Sequence, residues 1–228
     1  MAVSREPIIK KCRSLGISPA VMGVNPRVPD NYEAKLKEDM EKGKRYDSRK
    51  HKISDKVDYR DPSDGKRKKV SEYGMQLKEK QKLKFIYGVL EKQFYHYFEI
   101  AQKMEGQAGT NLLTCLESRL DNIVFRMGLS MTRREARQLV VHGHFDVNGK
   151  RVDIPSYRIK EGDVISLREK SKKSTKFKEI VEATGSRLVP TWLEMDKEKL
   201  SARVARLPVK EDLDYEIEEH LIVELYSK

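Results

Sequence analysis

Leu113-Thr-Cys-Leu-Glu-Ser-Arg-Leu-Asp-Asn-Ile-Val-Phe-Arg-Met-Gly128, followed by Thr132-Arg-Arg-Glu-Ala-Arg-Gln-Leu-Val-Val-His-Gly143, decides the fold class. In the first run Leu113, Leu116, Leu120, Ile123, Val124 and Met127 recur mostly at steps of three and four, which predicts one helix with a buried stripe, ended by Gly128. Arg119, Asn122 and Arg126 share that spacing and predict a second, polar stripe that faces away from the core and can meet a phosphate backbone. In the second run Thr132 is placed to cap a helix, and Glu135, three residues on, to reach back in a capping box. Ala136, Leu139 and Val140 form its apolar side. Arg133, Arg134 and Arg137 occupy its first turns, where cations oppose the helix dipole by roughly 0.3–1 kcal/mol each. A phosphate there would reverse the penalty, because it would meet free backbone N–H groups, the dipole and the guanidiniums together.

Gly143 closes the second helix, and Phe145, Val147, Val152 and Ile154 flank Asn148-Gly149, the dipeptide suited to a two-residue type I′ hairpin turn. Lys150 and Arg151 follow the turn, and Gly162-Asp163 makes another before a strand over Val164 to Leu167. His142, His144, Tyr157, Arg158 and Lys160 lie close by in sequence. The pattern predicts an α+β module: two helices packed on a small antiparallel sheet, with cations set for RNA.

Glu117-Ser-Arg-Leu-Asp-Asn122, Arg133-Arg-Glu-Ala-Arg-Gln-Leu-Val140 and Val147-Asn-Gly149 resemble the S-four RNA-binding domain, an αL-shaped fold. Outside it, Ser71-Glu-Tyr-Gly-Met-Gln-Leu-Lys-Glu-Lys-Gln-Lys82, Ile86-Tyr-Gly-Val-Leu-Glu91, Pro190-Thr-Trp-Leu193 and His220-Leu-Ile-Val-Glu-Leu-Tyr-Ser-Lys228 are similar to the bacterial small-subunit ribosomal protein four family, over roughly residues 70 to 228. The resemblance implies a mostly helical body domain with the S-four module inserted: a basic, partly irregular extension over 1–70, body over 71–111, module over 112–176, and body with an acidic end over 177–228. It also implies a structural constituent of the small ribosomal subunit that binds 16S ribosomal RNA early, nucleates the subunit body and influences translational accuracy. The implied neighbours are ribosomal protein five, proteins three and twelve, and messenger RNA near where it enters the subunit. In that family the basic stretch before the Ser-acid-Tyr-Gly motif lies on RNA, which points to Lys66, Arg67, Lys68, Lys69 and Tyr73.

Composition agrees with a polyanionic partner. The 228 residues carry a formal net charge of +11, with pI near 9.4. Basic residues outnumber acidic ones 25 to 16 over residues 1–110 and 14 to 8 over 111–176, whereas 177–228 holds 8 against 12. Glu211, Asp212, Asp214, Glu216, Glu218 and Glu219 in that last segment would repel RNA, so a basic protein neighbour or solvent is expected there. With 38% hydrophobic and 36% charged residues, part of the chain is expected to order only on its partner. No run approaches the roughly 18 apolar residues of a membrane span and the start lacks a signal-peptide core, so a cytoplasmic protein without membrane contact is expected. Cys12 and Cys115 are too few for a disulfide framework, and Cys115, beside Leu113 and Leu116, reads as a small buried residue. Some family members hold zinc on an N-terminal cysteine cluster; here Cys12 stands alone with His51 the nearest soft ligand, so neither metal nor cofactor is expected.

Before the module, Leu83, Ile86, Leu90, Phe94, Tyr97, Ala101 and Met104 advance by three or four, giving one long helix or two joined near Gly88. Lys78, Lys80, Lys82, Lys84 and Lys92 decorate its polar side, the first four as candidate RNA contacts, while Tyr87, Tyr95 and His96 either pack or stack on bases, packing being preferred. Asn31 to Lys44 carries a thin helical stripe, and the opening 70 residues depart from the family pattern. Phe177 to Gly185 reads as helix, which by the family architecture packs back on the 71–106 helices. Leu221, Val223 and Leu225 alternate at period two and predict a terminal strand or extended segment.

Two other classes compete. Arg119-Leu120-Asp121 imitates a pseudouridine synthase triplet, but Asn122-Ile123-Val124 continue an amphipathic helix, so Asp121 reads as helix surface and no enzyme is expected. A helix-turn-helix DNA reader would place amide side chains on its recognition helix, where only Gln138 stands.

Overall fold

The computed structural model describes residues 7–24, 71–185 and 187–227. They fall in two compact units, one over 5–71 and the other chiefly over 72–228. In the first, helix α1 (Ile8–Leu15) ends at Gly16, whose left-handed φ of 72° lets its N–H return to the Cys12 carbonyl. A single 3-10 turn, Pro19–Met22, follows, capped by Ser18. Cys12, Leu15, Ile17, Val21 and Met22 are buried. The expected Asn31 to Lys44 helix, His51 and the Lys66 to Lys69 run lie outside the described residues.

The second unit begins with α2 (Glu72–Ile86) and α3 (Glu91–Lys103), so the lysine-rich stretch is two helices. Gly88, at φ +60°, makes the break. Helix α4 (Ala108–Glu117) packs on α3, burying Phe94, Phe98, Ala101, Leu112 and Leu116. The end of the chain is helix α9 (Glu219–Ser227), not the strand that the period-two pattern suggested. Ile222 is fully buried in it, and Tyr226, four residues on, sets its ring 4.6 Å from that of Phe98. Leu221, Val223 and Leu225 are each only half-buried, so their alternation reports no sheet face. Where α9 meets α4 the contact needs Gly109: a Cβ there would lie 2.6 Å from the Glu219 side chain.

The module contains α5 (Leu120–Arg126) and α6 (Arg133–Val141), then β1 (Phe145–Val147), β2 (Lys150–Arg151) and β3 (Val164–Leu167). Asn148 and Gly149, at φ 50° and 74°, make the predicted primed turn. Two short helices, α7 (Glu169–Lys172) and α8 (Thr175–Thr184), precede β4 (Leu193–Asp196) and β5 (Ser201–Val204). All strand pairs are antiparallel, in the order β2-β1-β3-β5-β4. Phe177, Ile180, Trp192, Ala202 and Val204 share one core with Leu120, Ile123, Leu139, Phe145 and Ile165. The expected return of the Phe177 to Gly185 helix to the 71–106 helices is therefore corrected. It completes the module's core, and α9 makes the return to the body, against α2 and α4. The fold class is α+β, as expected.

Trp192, 1% exposed, lies outside residues 112–176 yet fills this core. Trp192→Ala should destabilise the module by about 3–5 kcal/mol. Urea unfolding followed by far-ultraviolet circular dichroism checks this; a change below about 1 kcal/mol would place the 190–204 segment outside the core.

Candidate nucleic-acid interface

The polar stripe expected to face RNA is inside the molecule. The single predicted helix breaks at Ser118 and Arg119, because the backbone of 155–159 bonds into the gap. Leu120 N–H donates to the Tyr157 carbonyl (3.0 Å), Asp121 N–H to that of Pro155 (3.2 Å), and Ile159 N–H to that of Ser118 (2.9 Å). Past the break Arg119, Asn122 and Arg126 are only 3%, 3% and 7% exposed. Arg119 donates from Nε and Nη2 to the two Asp121 oxygens (3.0 and 2.5 Å) and from Nη1 to the Tyr97 hydroxyl (2.7 Å). Asp121, expected on the helix surface, is buried with it.

Glu117, 2% exposed at the end of α4, joins the two parts of this unit. Its Oε1 accepts from the Tyr87 hydroxyl (2.5 Å) and Arg126 Nη2 (2.9 Å), and its Oε2 from Asn122 Nδ2 (2.5 Å) and Arg126 Nε (3.3 Å). Tyr87 also meets the Tyr215 hydroxyl (2.6 Å), and Arg126 reaches Asp214 (2.9 Å). Burial alone would raise the Glu117 carboxyl, but the guanidiniums of Arg126 and Arg133 outweigh it and hold the group below the ordinary carboxylate range. Burial and the Glu117 charge keep the Tyr87 phenol protonated well above its ordinary value, so it stays a donor.

The arginines at the start of α6 do not form the expected phosphate site either. Arg133 is buried, donates to Asn122 Oδ1, and lies over the Phe125 and Tyr87 rings at 4.6 and 5.3 Å. Arg137 leans toward Asp121 (3.8 Å) and the Gly88 carbonyl (3.4 Å). Arg134 is partly exposed. The helix end is capped from within: Thr132 Oγ1 accepts from Glu135 N–H (3.1 Å), and Glu135 Oε2 accepts from Met131 N–H (2.8 Å), one residue earlier than the capping box predicts. Three lysines of α2 are also paired internally, Lys80 and Lys84 with Glu91 at 2.6 and 2.9 Å and Lys82 with Glu79 at 2.5 Å. Although burial opposes it, those two lysines hold Glu91 down at about 2. Lys78 is half-buried, and Tyr73 is exposed. In the acidic segment Asp212 pairs with Arg206, Asp214 with Arg126 and Glu219 with Lys210, so half of those carboxylates balance cations of this chain. Tyr87 packs as preferred, whereas Tyr95 and His96 are exposed. Cys115 is fully buried, as expected, and burial raises its thiol and that of Cys12, the latter to about 11.

What remains outward gathers at the turn after α6. Gly143 adopts φ +71°, and the Arg151 guanidinium packs where its Cβ would be. Arg168 donates to the Gly143 carbonyl (3.3 Å) and lies 3.4 Å from Asp146. The His142 and His144 rings are 6.1 Å apart, and His144 Nδ1 meets Ser171 Oγ at 2.9 Å. Burial lowers the His144 imidazole below its ordinary value, and His142, Lys176, Arg168 and Arg151 lower it further by repulsion. Lys150 and Arg151 are exposed on β2, as is Arg158 after it. Arg168 and Lys176 were missed from sequence. The signal was present in Arg168-Glu-Lys-Ser-Lys-Lys-Ser-Thr-Lys176, with five cations in nine residues.

The domains that the chain matches are those of a ribosomal-type protein built around an S4 domain. A family model described as the S4 domain matches residues 118–165, and one described as the ribosomal protein S4/S9 N-terminal domain matches 33–117. A small ribosomal subunit protein uS4 from Agathobacter rectalis is 46% identical over 228 residues, and one from Lachnospira eligens is 48% identical over 228, each covering 100% of both chains. A third, from Acetivibrio thermocellus, is 61% identical over 162 residues, 71% of this chain and 78% of the relative. The chain belongs to the small ribosomal subunit protein uS4 family. The family match reaches upstream to residue 33, where the sequence resemblance stopped near 70, and two relatives match through the opening residues as well.

Glu117→Gln should destabilise this unit by about 3–5 kcal/mol, because Arg126 and Arg133 lose their buried counter-charge. With the folded carboxyl held low, this contribution is fully present above about pH 4.5 and is lost as pH falls through the folded value. Urea midpoints measured from pH 3 to 7 should fall in acid less steeply for Glu117→Gln than for the parent; equal slopes would contradict the assignment.

Proposed function

We propose that the protein is a structural constituent of the small ribosomal subunit that binds 16S ribosomal RNA, nucleates assembly of the subunit body and influences translational accuracy. The observation that carries the RNA-binding part is the cation cluster around Gly143. At Arg119, Arg126, Lys80 and Lys84 buried and half-buried cations are neutralised by carboxylates. Here Arg151, Arg168, Lys176 and two histidines crowd together against two carboxylates, Asp146 beside Arg168 and Glu135 beside Lys176. An arrangement that repels itself in the free protein is relieved by phosphates, which release their counterions on binding. Lys150, Arg151, His142 and His144 are accordingly the principal backbone contacts of this cluster, with shape and phosphate geometry read in preference to base edges; Arg158 lies outside it, beside Met104. Arg119, Arg126 and Arg133 act indirectly, by fixing the module on the body.

The nucleating and accuracy roles rest on membership of the family and on the resemblance of the Ser71 to Lys82 and His220 to Lys228 motifs. So do a cytoplasmic, ribosome-bound location, contact with ribosomal protein five and with proteins three and twelve, and a position near incoming messenger RNA. No helix of the described residues is long and apolar enough to cross a membrane.

Replacing His142, Lys150 and Arg151 together by Ala should weaken binding to 16S ribosomal RNA and reduce the magnitude of the log–log salt slope by up to about two. Filter binding from 50 to 300 mM salt checks this, and an unchanged slope would remove this surface from the interface. Phosphates should raise the depressed His144 value, so binding takes up a proton. Affinity at fixed salt should therefore increase as pH falls from 8 to 6, and His144→Gln should flatten the dependence. A parent protein whose affinity does not change over that range would contradict the role of His144.

A further inference from the structure

A cleft of about 330 Å³ opens beside the break between α4 and α5, away from the Gly143 cluster's own residues. Met104, Ile159 and Leu207 give it apolar walls, and Ile159 is pinned there by its N–H bond to the Ser118 carbonyl. Thr114 and Ser118 supply hydroxyls whose hydrogens are directed at carbonyls. Thr114 Oγ1 is 3.1 Å from those of both Thr110 and Pro208, and Ser118 Oγ is 3.3 Å from that of Cys115. Each oxygen is left with lone pairs, which suit a donor on the ligand. Arg158 and Lys160 line the cleft against one carboxylate, Glu161. Among the described residues the Arg158 guanidinium meets no carboxylate, only the Met104 sulfur at 4.0 Å.

We propose that this cleft takes one unstacked nucleotide of the ribosomal RNA, its base between the apolar walls and its phosphate on Arg158 and Lys160. The inference rests on the RNA-binding reading above. Its volume stands at the low end of the range for small-ligand sites, enough for one flat ring system and too small for a helix or peptide strand. RNA-binding proteins read single nucleotides by splaying the base into such sites, with guanidinium planes and apolar side chains against its faces. The two hydroxyl acceptors favour adenine, cytosine or guanine, whose exocyclic amine carries two N–H donors, over uracil, which offers only its single imino N–H. The two cations supply the complement to one phosphodiester, and the backbone bonds of 157–159 to 118–120 hold them in place.

The test uses the full chain and 16S ribosomal RNA. Leu207→Trp narrows the cleft from a position that is 39% exposed and so leaves the core untouched. Arg158→Gln removes the phosphate partner at an exposed position. Leu207→Trp should weaken binding roughly tenfold, and Arg158→Gln should weaken it and reduce the salt slope by about one. In dimethyl sulfate footprinting, one adenine or cytosine protected by the parent should become reactive with Leu207→Trp while the rest of the footprint stays. Parent-like affinity and footprint for both variants would overturn the proposal and leave the RNA-binding reading standing. A parent protein that does not bind the RNA would overturn both.

Discussion

One buried carboxylate sets the geometry of the larger unit. Glu117 is withdrawn from water at the end of α4 and accepts from a tyrosine of the body and from an amide and a guanidinium of the module. Desolvating such a charge is tolerable only when its lone pairs are filled, and here four contacts fill them. Removing any one donor would leave the others facing an undercompensated charge. The network therefore fixes the relative placement of α4 and α5 more than it adds net stability. Arg119 and Asp121 make a second buried pair beside it, tied to the body through Tyr97.

Because the joint draws Arg119, Arg126 and Arg133 inward, the cations that cluster on the module's surface are those that β2, the Gly143 turn and the 168–176 segment carry. Their mutual repulsion is borne by a rigid scaffold: β1 and β3 behind β2, and Phe177 in edge contact with both His144 and Phe145. A preorganised cluster of this kind needs little reorganisation when a phosphate arrives. The acidic C-terminal segment fits the same scheme. Asp212, Asp214 and Glu219 neutralise nearby cations of this chain, while Glu211, Glu216 and Glu218 stay exposed, Glu218 with His220 4.0 Å away.

Local chemistry was legible in the sequence and long-range pairing was not. Asn148-Gly149 allowed one turn type and Thr132 a helix start, and Gly88 marked where one long helix could divide in two; each stands in the structure because a few adjacent dihedrals decide it. The spacing of Arg119, Asn122 and Arg126 marked a shared face correctly and its direction wrongly. Periodicity identifies a stripe, whereas what covers that stripe depends on partners such as Asp214, 88 positions from Arg126. Leu221, Val223 and Leu225 misled for a related reason. A nearly continuous apolar run fits either period, and packing against α2 and α4 selected the helix. Strands β4 and β5 went unread because their apolar content is modest and their partner β3 lies across two intervening helices.

Glu117 and Arg126 are coupled through a buried joint, so Arg126 does not belong to an RNA-facing stripe. A double-mutant cycle with Glu117→Gln, Arg126→Met and the double variant, read by urea unfolding at pH 7 in the absence of RNA, tests it directly. The expected coupling energy is about 2–3 kcal/mol, with the double variant more stable than additivity of the single changes allows. Additivity within about 0.5 kcal/mol would contradict it and would return Arg126 to the surface.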